Sequence, residues 1–299
     1  MFFDFIGKRK LWFLMSLIII IPGLISLMFQ GLNLGIDFAG GTKVMVKFSQ
    51  EVSSEDIREV LSEHNLGRST IQASENNQFI IRTPILTEQE NTQVVNALRE
   101  KLGDMQILSN ESVGSVVSAE LQEKAIIALL IATVLMVVYI TIRFELSFAL
   151  SAITALFHDI LITLSIFSIF QIEINISFVA AILTIIGYSI NDTIVIFDRI
   201  RENLEFRQKE TLSELVNKSI HQNLVRSIFT SLTSVAVLLA LLIFGGDTTR
   251  VFALAMIIGF ISGTYSSICI ASPVWLELKK RWFVNDRRKK KKVNPAPSR

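Results

Sequence analysis

The sequence has 299 residues, of which 51% are hydrophobic, and it carries a formal net charge of +2. Its mean hydropathy of +0.50 is too high for an ordinary soluble domain and predicts an integral membrane protein with several spans. The single cysteine, Cys269, excludes an intrachain disulfide and a cysteine metal cluster.

Six apolar stretches are long enough to cross a hydrocarbon core of about 30 Å. Lysines and an arginine at 8–10 precede the first stretch, as in a signal peptide. Its apolar run of 19 residues is longer than a usual h-region, and no small-x-small cleavage pattern follows, so we predict a retained span. The six predicted spans are Leu11–Phe29, Ala125–Ile142, Phe148–Phe170, Ile176–Phe197, Ser227–Phe244 and Val251–Trp275.

Basic residues predict the orientation of these spans. Six crossings put four segments on one side: 1–10, 143–147, 198–226 and 276–299. These segments hold 3, 1, 6 and 10 lysines and arginines respectively. The short loops of the other side, 171–177 and 245–250, hold none and one. The positive-inside tendency therefore predicts that both termini are cytoplasmic. Three tryptophans fall at the cytoplasmic interface, where aromatic belts form: Trp12, Trp275 and Trp282.

This topology divides the chain into four predicted parts. They are the N-terminus with the first span (1–30), an extracytoplasmic α+β domain (31–124), a five-helix transmembrane bundle (125–275) and a basic cytoplasmic tail (276–299). Inside the bundle, the helical spacing of apolar residues within 199–226 predicts a cytoplasmic amphipathic helix at the membrane interface. The run Arg287–Lys292 favours contact with anionic lipid headgroups, and no nucleic-acid-binding pattern accompanies it.

The segment outside the membrane has the pattern of a small α+β domain. Alternating apolar residues predict strands near 44–48, 69–73, 78–82 and 105–108. Helices are predicted to start after Ser53 and at Thr87, where hydroxyl and acidic residues have capping-box spacing. The order βαββαβ is that of the ferredoxin-like split βαβ motif.

A glycine-rich stretch, NLGIDFAGGT at 33–42, joins the first span to this domain. Because glycine permits backbone conformations closed to other residues, we predict a tight turn or hinge. We assign this hinge to Gly35, Asp37, Gly40 and Gly41. A phosphate-binding loop is the alternative, but no GK[ST] follows, and we expect no helix to begin there.

Ionisable residues inside predicted spans mark the candidate site. Asp192 in the fourth span has Asn191 and Ser189 beside it, and the third span carries His158 and Asp159. A charged group at the bilayer centre costs from about 2.5 to more than 10 kcal/mol, so such residues normally face a partner or a wet cavity and mark a pathway.

Arg226, at the mouth of the fifth span, is either a counter-charge for Asp192 or a snorkelling arginine. His158 either passes protons near neutral pH or forms a helix-to-helix hydrogen bond. Asp192 itself has two other interpretations. It is polar glue between helices, or, with Asp159, one of the paired carboxylates of an intramembrane aspartyl protease. Against the protease, the glycine that its family has two positions before the aspartate is Ile190 here.

Small residues recur every four positions along the sixth span. Such a face lets another helix approach closely, so we predict a helix-packing surface whose partner is in this chain or another. Its members are Ala255, Gly259, Gly263, Ser267 and Ala271.

Four motifs in this order of spans carry a family resemblance: NLGIDFAGGT at 33–42, ESVG at 111–114, FHD at 157–159 and GYSINDTIVIFDRIRE at 187–202. Together they resemble the SecF family of bacterial protein-export subunits, over essentially the whole chain. The resemblance implies an RND-superfamily fold, with this six-span chain as one half-transporter in the bacterial inner membrane.

The same resemblance implies pairing with SecD, work beside the SecYEG channel and YajC, and use of the proton-motive force on an exported unfolded polypeptide. It assigns Asp192 and Arg226 to proton coupling at the interface with SecD, and Asp159 to a motif of less defined role. No catalytic group, cofactor or metal is expected. A small-molecule exporter of the RND fold is the remaining alternative, although the second outer loop, near 172–177, is short.

Overall fold

A computed structural model describes residues 3–74, 76–207 and 209–281. The chain folds into two compact units, an α+β unit of residues 34–127 and a helical unit that contains the residues before and after it. In chain order the elements are α1 (Arg9–Phe29), α2 (Ile36–Ala39), β1 (Gly41–Phe48), α3 (Ser54–Glu63), β2 (Thr70–Ser74), β3 (Gln78–Thr83), α4 (Glu88–Leu102), β4 (Met105–Val113), α5 (Ser115–Arg143), α6 (Leu146–Ile169), α7 (Ile176–Glu205), α8 (Leu212–Phe244), α9 (Asp247–Ser266) and a π-helical segment (Ser267–Ala271).

Six helices in the described part of the chain are long and apolar enough to cross a membrane, which confirms the predicted spans. They are α1, α5, α6, α7, α8, and α9 with its continuation to residue 281. Three of them extend beyond the apolar stretches: α5 begins at Ser115, α7 ends at Glu205 and α8 begins at Leu212. Hydropathy locates only the apolar part of a helix, so the polar extensions were missed.

The α+β unit contains an antiparallel sheet with the strand order β2-β3-β1-β4. This sheet with two helices confirms the predicted ferredoxin-like arrangement. The capping boxes also form, since the side chains of Ser53 and Thr87 accept hydrogen bonds from the backbone of Asp56 and Glu90 respectively. Side chains from one face of the sheet pack with α3 and α4 in a single core, which includes Val46, Phe48, Ile57, Leu61, Ile81 and Leu98.

The glycine-rich stretch contains a short helix, α2, so the expectation that no helix begins there was wrong. Gly35 precedes this turn with an ordinary φ of −71°, and Asp37 lies within it. Gly40 and Gly41 follow with φ of +73° and +129°. A Cβ atom on Gly41 would lie 2.6 Å from the carbonyl oxygen of Thr83, so both the backbone angle and the close approach of β3 favour glycine here.

The small residues of α9 pack against α7 of the same chain, which answers the question of their partner. A Cβ atom on Gly259 would lie 2.3 Å from the side chain of Ile185 on α7, and one on Gly263 would lie 3.2 Å from Cβ of Ser189. Ala255 and Ser267 are completely buried. The glycines therefore bring the backbones of α7 and α9 close together.

Trp275 is buried inside the helical unit, contrary to its predicted place in an aromatic belt. Its exposed fraction is 0%, and its ring stacks on Phe148 with centroids 4.8 Å apart. A side chain covered by protein in this way cannot contact lipid headgroups. Trp282 and the run Arg287–Lys292 lie outside the described residues.

The predicted amphipathic helix is the first part of α8, which continues without interruption into the span. Its apolar face is covered by protein, since Leu215, Val216 and Ile220 are completely buried. The N-terminal segment lies beside it: the amide of Asn217 donates to Asp4 at 2.7 Å. The Gly7 N–H group and this bond lower the pKa of the Asp4 carboxyl. The stretch is therefore part of the helical unit and not a separate interfacial helix.

Candidate functional site in the membrane helices

Asp159 on α6 is completely buried, and both of its carboxylate oxygens accept hydrogen bonds. On Oδ1 the donors are the hydroxyl of Ser262 at 2.6 Å and Nδ1 of His158 at 3.0 Å. On Oδ2 they are the hydroxyls of Ser189 at 2.6 Å and Ser266 at 2.7 Å. Helices α6, α7 and α9 thus meet at a carboxylate whose lone pairs are well satisfied. This supply of donors offsets the cost of taking a charge out of water.

His158 continues this network to α1. Its Nε2 lies 2.8 Å from the hydroxyl oxygen of Ser16, which lies 3.2 Å from the hydroxyl oxygen of Tyr265 on α9. Tyr265 in turn donates to the carbonyl oxygen of Trp12 at 2.6 Å. Adjacent residues on a helix point about 100° apart, yet both His158 and Asp159 are buried. Helix α1 covers the side chain of His158, and helices α7 and α9 cover that of Asp159.

The close packing of α7 and α9 explains why the serines reach Asp159. Ser262 and Ser266 are four residues apart and so share one face of α9. They lie beside the glycine positions 259 and 263, where the missing side chains bring Ser189 within reach. Four residues of this network were not predicted from the sequence: Ser16, Ser262, Ser266 and Tyr265. The i, i+4 pair of serines next to a small-residue face is the signal that could have found two of them.

Asp192 on α7 has a different environment. Its Oδ1 accepts a hydrogen bond of 2.6 Å from the hydroxyl of Ser227 on α8. Its Oδ2 is buried and has no hydrogen-bond partner among the described residues. The neighbouring Asn191 is exposed. Asp192 is therefore half satisfied, whereas Asp159 is fully satisfied.

Arg226 precedes Ser227 on α8, and it is exposed. Within residues 3–74, 76–207 and 209–281, no ion pair within 4 Å joins it to Asp192. The serine that donates to Asp192 is also different from the three serines that donate to Asp159. The two aspartates thus form two separate carboxylate sites.

Two family profiles match this chain. One describes the C-terminal part of the protein export membrane proteins SecD and SecF and matches residues 93–281. The other describes the SecD/SecF GG motif and matches residues 25–52, which include Gly40 and Gly41.

Curated relatives of this chain are SecF subunits. Protein translocase subunit SecF of Sebaldella termitidis is 43% identical over 89% of this chain and 88% of its own length, and that of Acidaminococcus fermentans is 42% identical over 93% and 98%.

The chain belongs to the SecF family. Solved structures agree with this assignment. The SecF-family chain matches the crystal structure of SecDF, a translocon-associated membrane protein from Thermus thermophilus, with a TM-score of 0.86 and 34% identity over 94% of its length. It matches SecDF in the super-membrane-facing form with a TM-score of 0.71 and 33% identity over 97%. It spans only 39% and 40% of those two chains.

Membership confirms the resemblance seen in the motifs. As a SecF-family chain with six apolar helices, this protein is a multi-pass inner-membrane protein and an accessory subunit of Sec protein export. The positions of the individual site residues rest on the geometry alone, and their roles remain predictions.

Proposed function

We propose that this chain pairs with SecD and uses the proton-motive force to assist the late translocation of unfolded polypeptides that leave the SecYEG channel, with YajC as a further partner. The proposal rests on the hydrogen bonding of the Asp192 carboxylate. One of its oxygens accepts from Ser227, and the other is buried without a partner among the described residues. A carboxyl group with one free oxygen at a helix–helix contact has room to bind and release a proton.

Pairing with SecD is supported by the length of the matched structures and by the faces of two helices. The SecDF chains are more than twice as long as this one, which spans 39% of the first, so they contain room for a second half. In this chain, α5 and α8 expose many large apolar side chains, including Leu130, Val134, Val138, Ile228, Phe229 and Leu232. In a six-span half-transporter of the RND type, such faces would contact lipid or the other half.

Arg226 completes the proposed cycle. It precedes, along α8, the serine whose hydroxyl binds Asp192, and its side chain is exposed. A cation that approaches a carboxylate favours the ionised form, and one that withdraws favours protonation. We propose that contact with SecD moves Arg226 and Asp192 together and apart during each cycle. Asp159, fully bonded, holds three helices in position for this movement.

The proposed orientation places both termini in the cytoplasm and residues 31–124 outside it. The basic segments support it by the positive-inside tendency. A reporter that is active only outside the cytoplasm should be active when fused near Ser74 and silent after Arg299. The reverse pattern would overturn this orientation.

The proposed function is tested with a stalled polypeptide in inverted membrane vesicles, with and without an imposed proton gradient. Asp192→Asn keeps hydrogen-bonding capacity but cannot alternate between charge states, so it should insert, bind SecD and lose gradient-driven completion of export. Asp198→Asn is the matched control, because Asp198 is a half-buried aspartate on the same helix that pairs with Arg143. It should behave as wild type. Arg226→Met should lose the response as well.

Two alternatives receive less support. A shared-proton dyad of an aspartyl protease needs two carboxylates in contact, whereas Asp159 and Asp192 have separate sets of donors. A purely structural role, in which the carboxylate only bonds neighbouring helices, fits Asp159 better than Asp192. In the described part of the chain, Asp159 receives four hydrogen-bond donors and Asp192 receives one. Undiminished gradient-driven completion in Asp192→Asn would return Asp192 to this structural role.

A further inference from the structure

The sixth span contains the π-helical segment, which lies between α9 and the continuation of that helix to residue 281. Its residues, Ser267–Ala271, are no more than 5% exposed, and Pro273 follows two positions later. A π turn is closed by a hydrogen bond that spans five residues, one more than in an α turn, and such turns are rare and often lie at functional sites. The sixth span therefore holds one extra residue at this point.

Pro273 explains why the helix departs from α geometry here. Inside an α-helix, a proline ring clashes with the carbonyl group four residues earlier. For Pro273 this is the carbonyl group of Cys269, in the middle of the π-helical segment. A wider turn moves that group away from the ring. Ser272 supports the wider turn, since its hydroxyl donates to the carbonyl oxygen of Ser267, five residues earlier, at 2.9 Å.

Residues on both sides of the π-helical segment contact the same helix, α6. Before it, the hydroxyl of Ser266 donates to Oδ2 of Asp159 at 2.7 Å. After it, the ring of Trp275 stacks on that of Phe148, with centroids 4.8 Å apart. Phe148 and Asp159 are eleven residues apart in the sequence, which is about three turns at 3.6 residues per turn, so they share one face of α6.

An uninterrupted α-helix would point Ser266 and Trp275 in opposite directions. They are nine residues apart in the sequence, which is about two and a half turns, or about 180° around the helix. The extra residue of a π turn takes up about 100° of this rotation and leaves about 80° between the two side chains. The π-helical segment thus turns Ser266 and Trp275 towards the same neighbouring helix.

We propose that Pro273 is a positioning residue for the Asp159 site. By excluding an α turn between positions 269 and 273, it maintains the π-helical segment. That segment in turn holds Ser266 on Asp159 while Trp275 stays on Phe148. This role depends on the rotation of the helix and not on the use of a proton gradient.

The first test is thermal unfolding of the full chain in mixed micelles. Alanine in place of a proline inside a helix ordinarily raises stability, because it restores a hydrogen bond and removes a clash. Pro273→Ala should instead lower the midpoint temperature by a few degrees, because the helix adopts α geometry and loses the bond to Asp159 or the contact with Phe148. Pro22→Ala is the matched control, since Pro22 lies inside α1, which is α-helical throughout. It should keep or raise the midpoint.

Deletion of one residue separates helix rotation from a simple loss of packing. When Cys269 is deleted from Pro273→Ala, a continuous α-helix again leaves about 80° between the side chains of Ser266 and Trp275. This deletion should raise the midpoint above that of Pro273→Ala alone, or restore folding if Pro273→Ala does not fold. Deletion of Ile257 from Pro273→Ala is its control and should give no recovery, because it leaves the spacing of Ser266 and Trp275 unchanged.

Two results would overturn this role of Pro273. One is a midpoint of Pro273→Ala at or above that of the wild type. The other is a deletion of Cys269 that brings no more recovery than the deletion of Ile257. Gradient-driven export that persists in Asp192→Asn would contradict the proposed function and leave these temperatures unchanged, so the two failures are distinguishable.

Discussion

Asp159 and Asp192 lie within apolar spans, and they differ in the number of their hydrogen-bond donors. Among the described residues, Asp159 receives four donors from three helices, whereas Asp192 receives one. A carboxylate that is fully bonded to three helices holds those helices together. A carboxylate with one unbonded oxygen contributes less to helix packing. We therefore propose a structural role for Asp159 and proton cycling for Asp192.

This difference predicts the stability of the two asparagine variants. Asp159→Asn places an NH₂ group against the two donors of one carboxylate oxygen and disrupts those two hydrogen bonds. Each such bond between membrane helices is worth about 0.6 kcal/mol on average, so the free energy of unfolding should fall by about 1–2 kcal/mol. Asp192→Asn should change it by less than half as much. Unfolding of the purified variants in mixed micelles measures both, and an equal loss would contradict the assignment.

Residue types in the sequence located the centre of the site but not its surroundings. An ionisable residue in an apolar run is conspicuous, so Asp159, His158 and Asp192 could be predicted. Hydroxyl residues are common in membrane helices and often bond their own backbone, so Ser262 and Ser266 could not be singled out. Which serine reaches a carboxylate depends on how far apart two helices pack, and one sequence does not contain that distance.

At the scale of elements, the contact of α7 with α9 positions the serines around Asp159. It depends on the missing side chain of Gly259, where a Cβ atom would lie 2.3 Å from Ile185. Repetition of small residues every four positions predicted this surface. Its partner was not predictable, because the repeat describes only one side of the contact.

The same substitution at two glycines tests this contact. Gly259→Ala should separate α7 from α9 and lower the thermal stability of the protein. Gly187→Ala on α7 should be neutral or slightly stabilising, because the nearest atom to its Cβ would be Cε of Met136 at 3.9 Å and alanine is favoured in helices by about 1 kcal/mol. Thermal unfolding of both variants measures the difference. Destabilisation by Gly187→Ala alone would refute the packing argument.

Gly41, the first residue of β1, is a second constrained glycine. Gly41→Ala should destabilise the α+β unit by about 1–3 kcal/mol, the cost of a strained backbone conformation, because φ is +129° and Thr83 is close. Gly35→Ala is the control, since its φ of −71° is open to alanine. Limited proteolysis of residues 34–127 in the two variants reports the effect. Equal resistance would show that the constraint at Gly41 is not needed.

At the scale of the whole molecule, the six spans and the βαββαβ unit followed from hydropathy and alternation. Both patterns are properties of single elements, and a strong periodic signal predicts them well. The burial of Trp275 and the continuity of α8 were not predicted, because each depends on packing between elements distant in sequence. The proposed pairing with SecD also depends on packing between distant surfaces. In this chain, the exposed apolar faces of α5 and α8 are its main support.

In the proposed cycle, protons pass through Asp192 while polypeptide moves. The most direct test is proton uptake in proteoliposomes that contain this chain, SecD and the SecYEG channel, followed with a pH-sensitive dye under an imposed gradient during export. Wild type and Asp198→Asn should take up protons only while a polypeptide is exported, and Asp192→Asn should take up none above the leak. Export-linked proton uptake of equal size in Asp192→Asn would show that the protons do not pass through Asp192.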